Sequence, residues 1–140
     1  MTQLEEINTK GIEHLGNKRF LELLDQVRAT HIAKAAGYSG SDNPDTWANF
    51  REAKAWGSTP VDGCFIRMGD KYRRSQNLRR NPDNDRVGEP LKVTLLDLAN
   101  YAIIAICLLE EEEAAQPKWP PLGPDGKEQA GEVFSEVLIR

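Results

Sequence analysis

Asp97 and Asn100 stand inside the run 94–109, TLLDLANYAIIAICLL, which is otherwise almost wholly apolar. At ~3.6 residues per turn, Asp97, Asn100, Tyr101 and Ile104 share one helical face, and Glu89 and Val93 extend it backwards. An unpaired buried carboxylate is strongly unfavourable, so Asp97 requires a cation, a metal ion or a proton beside it. A structural ion pair meets that requirement, and so does a ligand pocket between helices. The counter-charges lie just upstream. Arg67, Asp70, Lys71, Arg74 and Asn77 form a polar stripe at helical spacing in the run 60–80, beside an apolar stripe of Val61, Cys64, Phe65, Met68 and Tyr72. Packed against the run 94–109, the polar stripe would meet Asp97 and Asn100. Arg67 or Arg74 would then pair with Asp97, or with a phosphate.

A second group of candidates is aromatic. Tyr38, Trp47, Asn49, Phe50 and Arg51 lie in or beside the turn-rich segment 37–45, GYSGSDNPD. Aromatic rings near a basic patch can stack on a base, and Arg and Asn can read its edges. Trp47 reads more simply as an anchor pinning a short helix to the core. His14 and His31 lack an acid and a nucleophile for company and read as structural or surface residues. Gly57, Gly63 and Gly69 are too scattered for a phosphate-cradling loop.

These residues need helices to place them. The expectation is an all-α bundle of about five helices around a central buried one, because the run 94–109 is apolar on every side and no alternating strand pattern occurs. Thr2 and Glu5 suggest a capping box opening a helix that runs to Leu15. A second helix is expected over 18–36 and a third over 46–56, stopped by Gly57. Thr59-Pro60 opens the fourth, and Glu89-Pro90 the central one. The acids Glu110 to Glu113 are either solvated or carry that helix onward. Residues 1–115 then form one domain. Residues 116–140 form a Pro-rich linker, with Pro117, Pro120, Pro121 and Pro124, and a C-terminal helical arm.

A chain of 140 residues has room for one domain with a real core. Its net charge of −4 argues against a long nucleic acid as partner, yet residues 67–80 hold six cations against one carboxylate, a local charge of +5. A basic patch on an acidic chain points to a small anionic ligand. Cys64 and Cys107 read as core residues in a reducing compartment. The N-terminus has no signal-peptide pattern, and the run 95–109 is short for a membrane span and contains Asp97. The expectation is a cytoplasmic protein without a membrane partner.

The residues between about 29 and 109 resemble the phage and bacterial nucleotide modification associated domain 1 proteins, which look like members of the all-α, MazG-like nucleotide pyrophosphohydrolase group. The matching pieces are Lys34 with Tyr38, Asn49-Phe50-Arg51, Arg67-Met68-Gly69-Asp70-Lys71 with Arg74, Asn77 and Leu78, and Glu89 followed by the run 94–102, TLLDLANYA. The resemblance implies a dimeric or tetrameric helical bundle with a nucleotide site between helices. It implies ligand contacts from Lys34, Tyr38, Asn49, Phe50, Arg51, Arg67, Lys71, Arg74, Asn77, Asn100 and Tyr101. In the wider group, acids on two helices hold Mg²⁺ that bridges the phosphates while water attacks phosphorus.

The chain departs from that pattern at two positions where the group carries acids, Gly37 and Val93. Asp70, Glu89 and Asp97 remain as possible metal ligands, but Glu89 and Asp97 are ~12 Å apart along one helix. Binding of an anionic nucleotide survives such losses better than hydrolysis. The first expectation is therefore a nucleotide-binding protein with a degenerate site and no required metal. If it is a phage protein, it would sequester a nucleotide or a nucleotide-derived immune signal in the host cytoplasm. The second is a Mg²⁺-dependent pyrophosphohydrolase acting on nucleoside triphosphates. The third, a structural or interaction module, leaves the family-like pieces unexplained.

Overall fold

The computed structural model describes residues 6–39 and 45–116, and the chain is all-α, with no strand among these residues. Four α-helices carry the structure: α1 (Lys18–Ser39), α2 (Ala48–Arg51), α3 (Pro60–Arg80) and α4 (Leu91–Ala115). Short 3-10 turns lie at Glu13–Leu15, Glu52–Trp56 and Pro82–Asn84.

The expected first helix is corrected over the residues that can be seen. Residues 6–9 are not helical, and Gly11 has φ +87°, a left-handed conformation that breaks any helix through it. Asn17 begins a helix: its Oδ1 accepts from Phe20 N at 2.9 Å, capping α1. α1 then continues beyond Ala36 through Gly37 to Ser39. The third expected helix is one α-turn, α2, followed by a 3-10 turn that ends at Gly57 with φ +72°. The expected linker and arm, residues 117–140, lie outside the described residues.

α3 begins where its sequence says it should. Thr59 Oγ1 accepts from Asp62 N at 3.1 Å, its hydroxyl donates to Asp62 Oδ2 at 2.9 Å, and Pro60 takes the first turn, where its missing N–H is no loss. Thr59→Ala should lower the unfolding free energy by about 1 kcal/mol, read from urea denaturation. The connection from α3 to α4 is organised by Asp85. Its Oδ1 accepts from Val87 N (3.3 Å), Glu89 N (3.0 Å) and Arg74 Nη2 (3.0 Å).

α4 is the centre of the fold. It packs along α3, and α1 lies against it from another side. A small core of Phe50, Val61, Cys64, Ile104, Ala105 and Leu108 sits where α2, α3 and the second half of α4 meet, flanked by Trp47, Met68 and Tyr101. Cys64 is completely buried, and its Sγ–H donates to Tyr101 O at 3.2 Å. Burial pushes its thiol up to about 11, so it serves as packing and not as a nucleophile.

The described residues do not bury the helix all round. Leu95, Ile103, Ile106 and Leu109 remain 43–49% exposed, because α1 and α3 cover only one side of it. The expected apolar stripe of α3 is corrected likewise: Val61 and Cys64 are buried, whereas Phe65 and Tyr72 are more than half exposed. The four acids at 110–113 do carry α4 onward. By length and composition α4 could cross a membrane, although its inner face carries buried Thr94, Asp97 and Asn100.

Candidate functional site

Asp97 has two cations, one from each neighbouring helix. Lys34 Nζ of α1 lies 2.7 Å from its Oδ1, and Lys71 Nζ of α3 lies 2.8 Å from its Oδ2. The carboxylate is nearly buried, with its side chain 7% exposed. Lys71 also reaches Glu89 Oε2 at 3.5 Å. Burial pushes the Asp97 carboxyl up, but hydrogen bonds and charge from Lys34 and Lys71 outweigh it and hold the group below the usual carboxylate range. Burial also works against the Lys71 ammonium, and Asp97 and Glu89 outweigh that effect and raise it.

The partner differs from the arginines expected. Arg67 is exposed, and Arg74 turns toward the α3–α4 connection. Arg74 Nη2 donates to Asp85 Oδ1 and to Glu89 O (2.8 Å), while its buried Nε has no hydrogen-bond partner and stands 4.0 Å from Glu89 Oε2. Arg51 is also engaged within the fold. Its Nε and Nη2 meet the two oxygens of Asp45 at 2.8 and 3.2 Å, and Nη2 reaches Glu111 Oε2 at 3.0 Å. The pair with Asp45 and Glu111 raises the Arg51 guanidinium, and Arg51 in turn lowers Asp45. This residue ties the end of the 37–45 segment to α2 and to the last turns of α4.

One cleft gathers many of the remaining candidates. It lies between α1, α2 and α4 and is lined by Lys34 and Tyr38 from α1, Asn49 and Phe50 from α2, and Asp97, Asn100 and Tyr101 from α4. His31 and Trp47, read from sequence as structural, complete its aromatic wall. Ring centroids step from His31 to Trp47 (5.6 Å), to Phe50 (6.4 Å) and to Tyr101 (6.3 Å). The helical register of α1 offered a signal, since His31 stands three residues before Lys34 and one turn from it.

The cleft is narrow: only about 30 Å³ of it admits the centre of a water molecule, although its empty space reaches about 430 Å³ when the open mouth is included. A more apolar groove of about 350 Å³ adjoins it, sharing His31, Trp47, Asn100 and Ile104 and adding Leu24, Val27, Ile103 and Cys107.

Asp70, Arg74 and Asn77 line a different, polar depression with Arg73 and Asn84. The structure therefore splits the sequence-derived set: Lys71 is tied to Asp97 by its ion pair without lining the cleft itself, whereas Asp70, Arg74 and Asn77 face elsewhere. Asp70 stands apart from the other two acids, whereas Glu89 Oε2 and Asp97 Oδ2 both reach Lys71 Nζ, at 3.5 and 2.8 Å, so these two carboxylates share one ammonium instead of standing ~12 Å apart, and no cluster of three or more His, Cys, Asp or Glu side chains suited to a metal ion occurs among the described residues. Asp97 in particular has its oxygens filled by two ammonium groups.

Comparison with known proteins returns no matching family model, no matching curated protein and no matching solved structure. The resemblance to the MazG-like group rests on the quoted residues alone.

Proposed function

We propose that the protein binds a nucleotide or a nucleotide-derived small molecule in the cleft between α1, α2 and α4. The observation that carries this reading is the convergence of Lys34, Tyr38, Asn49, Phe50, Asn100 and Tyr101 on one cleft, from three helices distant in sequence. A chain of rings beside two amides suits a base, which is sandwiched by π-faces and read at its edges. Lys34 and Lys71 suit a phosphate, which would take hydrogen bonds now made by Asp97. The adjoining groove gives the ligand the volume that the narrow cleft lacks, since small-molecule sites generally span ~300–1,000 Å³.

In this reading Asp97 is a resident anion. It keeps the two lysines oriented and their charge compensated while the cleft is empty. Binding needs no metal, because the phosphate meets ammonium groups and not a ring of carboxylates.

The test is calorimetric titration of the full chain with nucleoside mono-, di- and triphosphates in EDTA, alongside mass spectrometry of small molecules released on denaturation. Binding should persist in EDTA. Lys34→Ala should weaken it roughly 10- to 150-fold, the loss of one charge-assisted hydrogen bond of ~1.5–3 kcal/mol. No binding by any nucleotide, and none released, would refute the reading. Mg²⁺-dependent turnover abolished by Asp97→Asn would replace it with a nucleotide hydrolase.

A further inference from the structure

The cleft has a direction, and the charge along it changes. α3 and α4 run past each other with their contacts in order. Cys64 Sγ–H donates to Tyr101 O, Lys71 Nζ meets Asp97 Oδ2, and Arg74 Nη2 donates to Glu89 O. Lys34 of α1 stands level with Asp97, and His31 of the aromatic wall lies one turn before it. The rings therefore occupy the Tyr101 end, the two lysines the middle, and Glu89 the far end. Arg67 falls between Cys64 and Lys71, on the ring side of the lysines. Arg28 lines the adjoining groove, ~9 Å along α1 from Lys34 and also on the ring side.

The far end has no surplus of positive charge among the described residues. Lys34, Lys71 and Arg74 meet Asp97, Glu89 and Asp85, three cations against three carboxylates. Lys71 is shared by Asp97 (2.8 Å) and Glu89 (3.5 Å), and Arg74 is held by Asp85 and the Glu89 carbonyl. The Glu89 side chain is 48% exposed, so it faces whatever extends past the lysines in that direction.

On the reading of the cleft as a nucleotide site, on which this inference rests, we propose that the ligand carries a single phosphate and that Glu89 excludes longer phosphate chains. With the base among the rings, one phosphate reaches Lys34 and Lys71, where Asp97 now holds them. A second phosphate would lie beyond the lysines, against the Glu89 carboxylate, with no unshared cation to receive it. Like charges set side by side in this way are strongly unfavourable. Lys71 cannot turn to that second phosphate without leaving Glu89 uncompensated. Glu89 thus sets the length of the phosphate chain and has no part in choosing the base, which lies at the other end.

Calorimetric titration of the full chain in EDTA with adenosine, AMP, ADP and ATP, and with the guanosine, cytidine and uridine series, reads this selectivity. For the base that binds best, the monophosphate should bind at least roughly tenfold more tightly than the triphosphate, as one uncompensated like-charge contact requires. Glu89→Gln should tighten the triphosphate roughly tenfold and narrow that ratio. Glu110→Gln removes the same charge from an exposed site thirteen residues beyond Asp97, ~20 Å along α4, and should leave the ratio unchanged. Circular dichroism checks that both variants keep their helices. Three results would overturn the exclusion while leaving nucleotide binding standing. They are a triphosphate bound more tightly than the monophosphate by the unmodified chain, equal effects of Glu89→Gln and Glu110→Gln, and a triphosphate preference that appears with Mg²⁺ and disappears in Glu89→Gln. No binding by any nucleotide would overturn both.

Discussion

Asp97→Ala is expected to destabilise the chain by about 2–3 kcal/mol at neutral pH, measured by urea denaturation. The substitution removes the shared partner of Lys34 and Lys71 and leaves two ammonium groups facing each other across the cavity. Breaking a buried pair from one side costs about 3–5 kcal/mol. The lower figure applies here because Lys34 is 41% exposed and can return to water. The pH profile gives a second readout. The Asp97 carboxyl is held below its ordinary range in the folded chain. Its contribution is therefore complete above the unfolded value of ~3.9 and is lost as pH falls through the lowered folded value. Asp97→Ala should flatten that acid limb. A loss under ~0.5 kcal/mol, within the range of ordinary surface substitutions, would show that the lysines do not depend on Asp97.

Leu108→Ala is expected to cost about 3 kcal/mol, within the range for emptying a buried leucine site. Leu108 is 2% exposed and belongs to the cluster of Phe50, Val61, Cys64, Ile104 and Ala105. This cluster holds α2 and α3 to the second half of α4, and it is small enough that little can move in to fill the space. Val87→Ala, at a site 71% exposed, should change stability by no more than ~0.5 kcal/mol. Equal effects of the two substitutions in thermal denaturation would contradict the assigned core.

The helices that were legible in the sequence are those whose ends carry local chemistry. Thr59-Pro60 opens α3 and Gly57 stops the turn before it, because capping and left-handed backbone are decided within a few residues. The expected first helix failed over residues 6–15 on the same ground, since a capping pattern upstream says nothing of Gly11 within the run. Asp97's need for cations was also legible, from burial alone. Which cations was not. Lys71 and not Arg67 or Arg74 meets Asp97, because that choice depends on how α3 is rotated about its axis against α4. Lys34 entered only through a family-like pattern, since nothing local in α1 announces a partner 63 residues away. The open outer face of α4 was hidden for a related reason. An apolar circumference specifies that a helix wants company on all sides, but not whether one chain supplies it.

The span between Lys34 and Asp97 also sets an order of events during synthesis. α3 and α4 are neighbours in the chain and can meet as soon as α4 is made. α1 leaves the ribosome first, yet its counter-ion is 63 residues behind it. At ~5–20 residues per second, α1 waits roughly 3–13 s for Asp97 to be polymerised, and longer for it to clear the exit tunnel. During that interval Val27, buried in the folded chain, has no helix to cover it, and Lys34 has no carboxylate. The nascent chain thus carries an uncovered amphipathic segment while 63 further residues are added, and the last of the described helices is the one that completes the fold of the first.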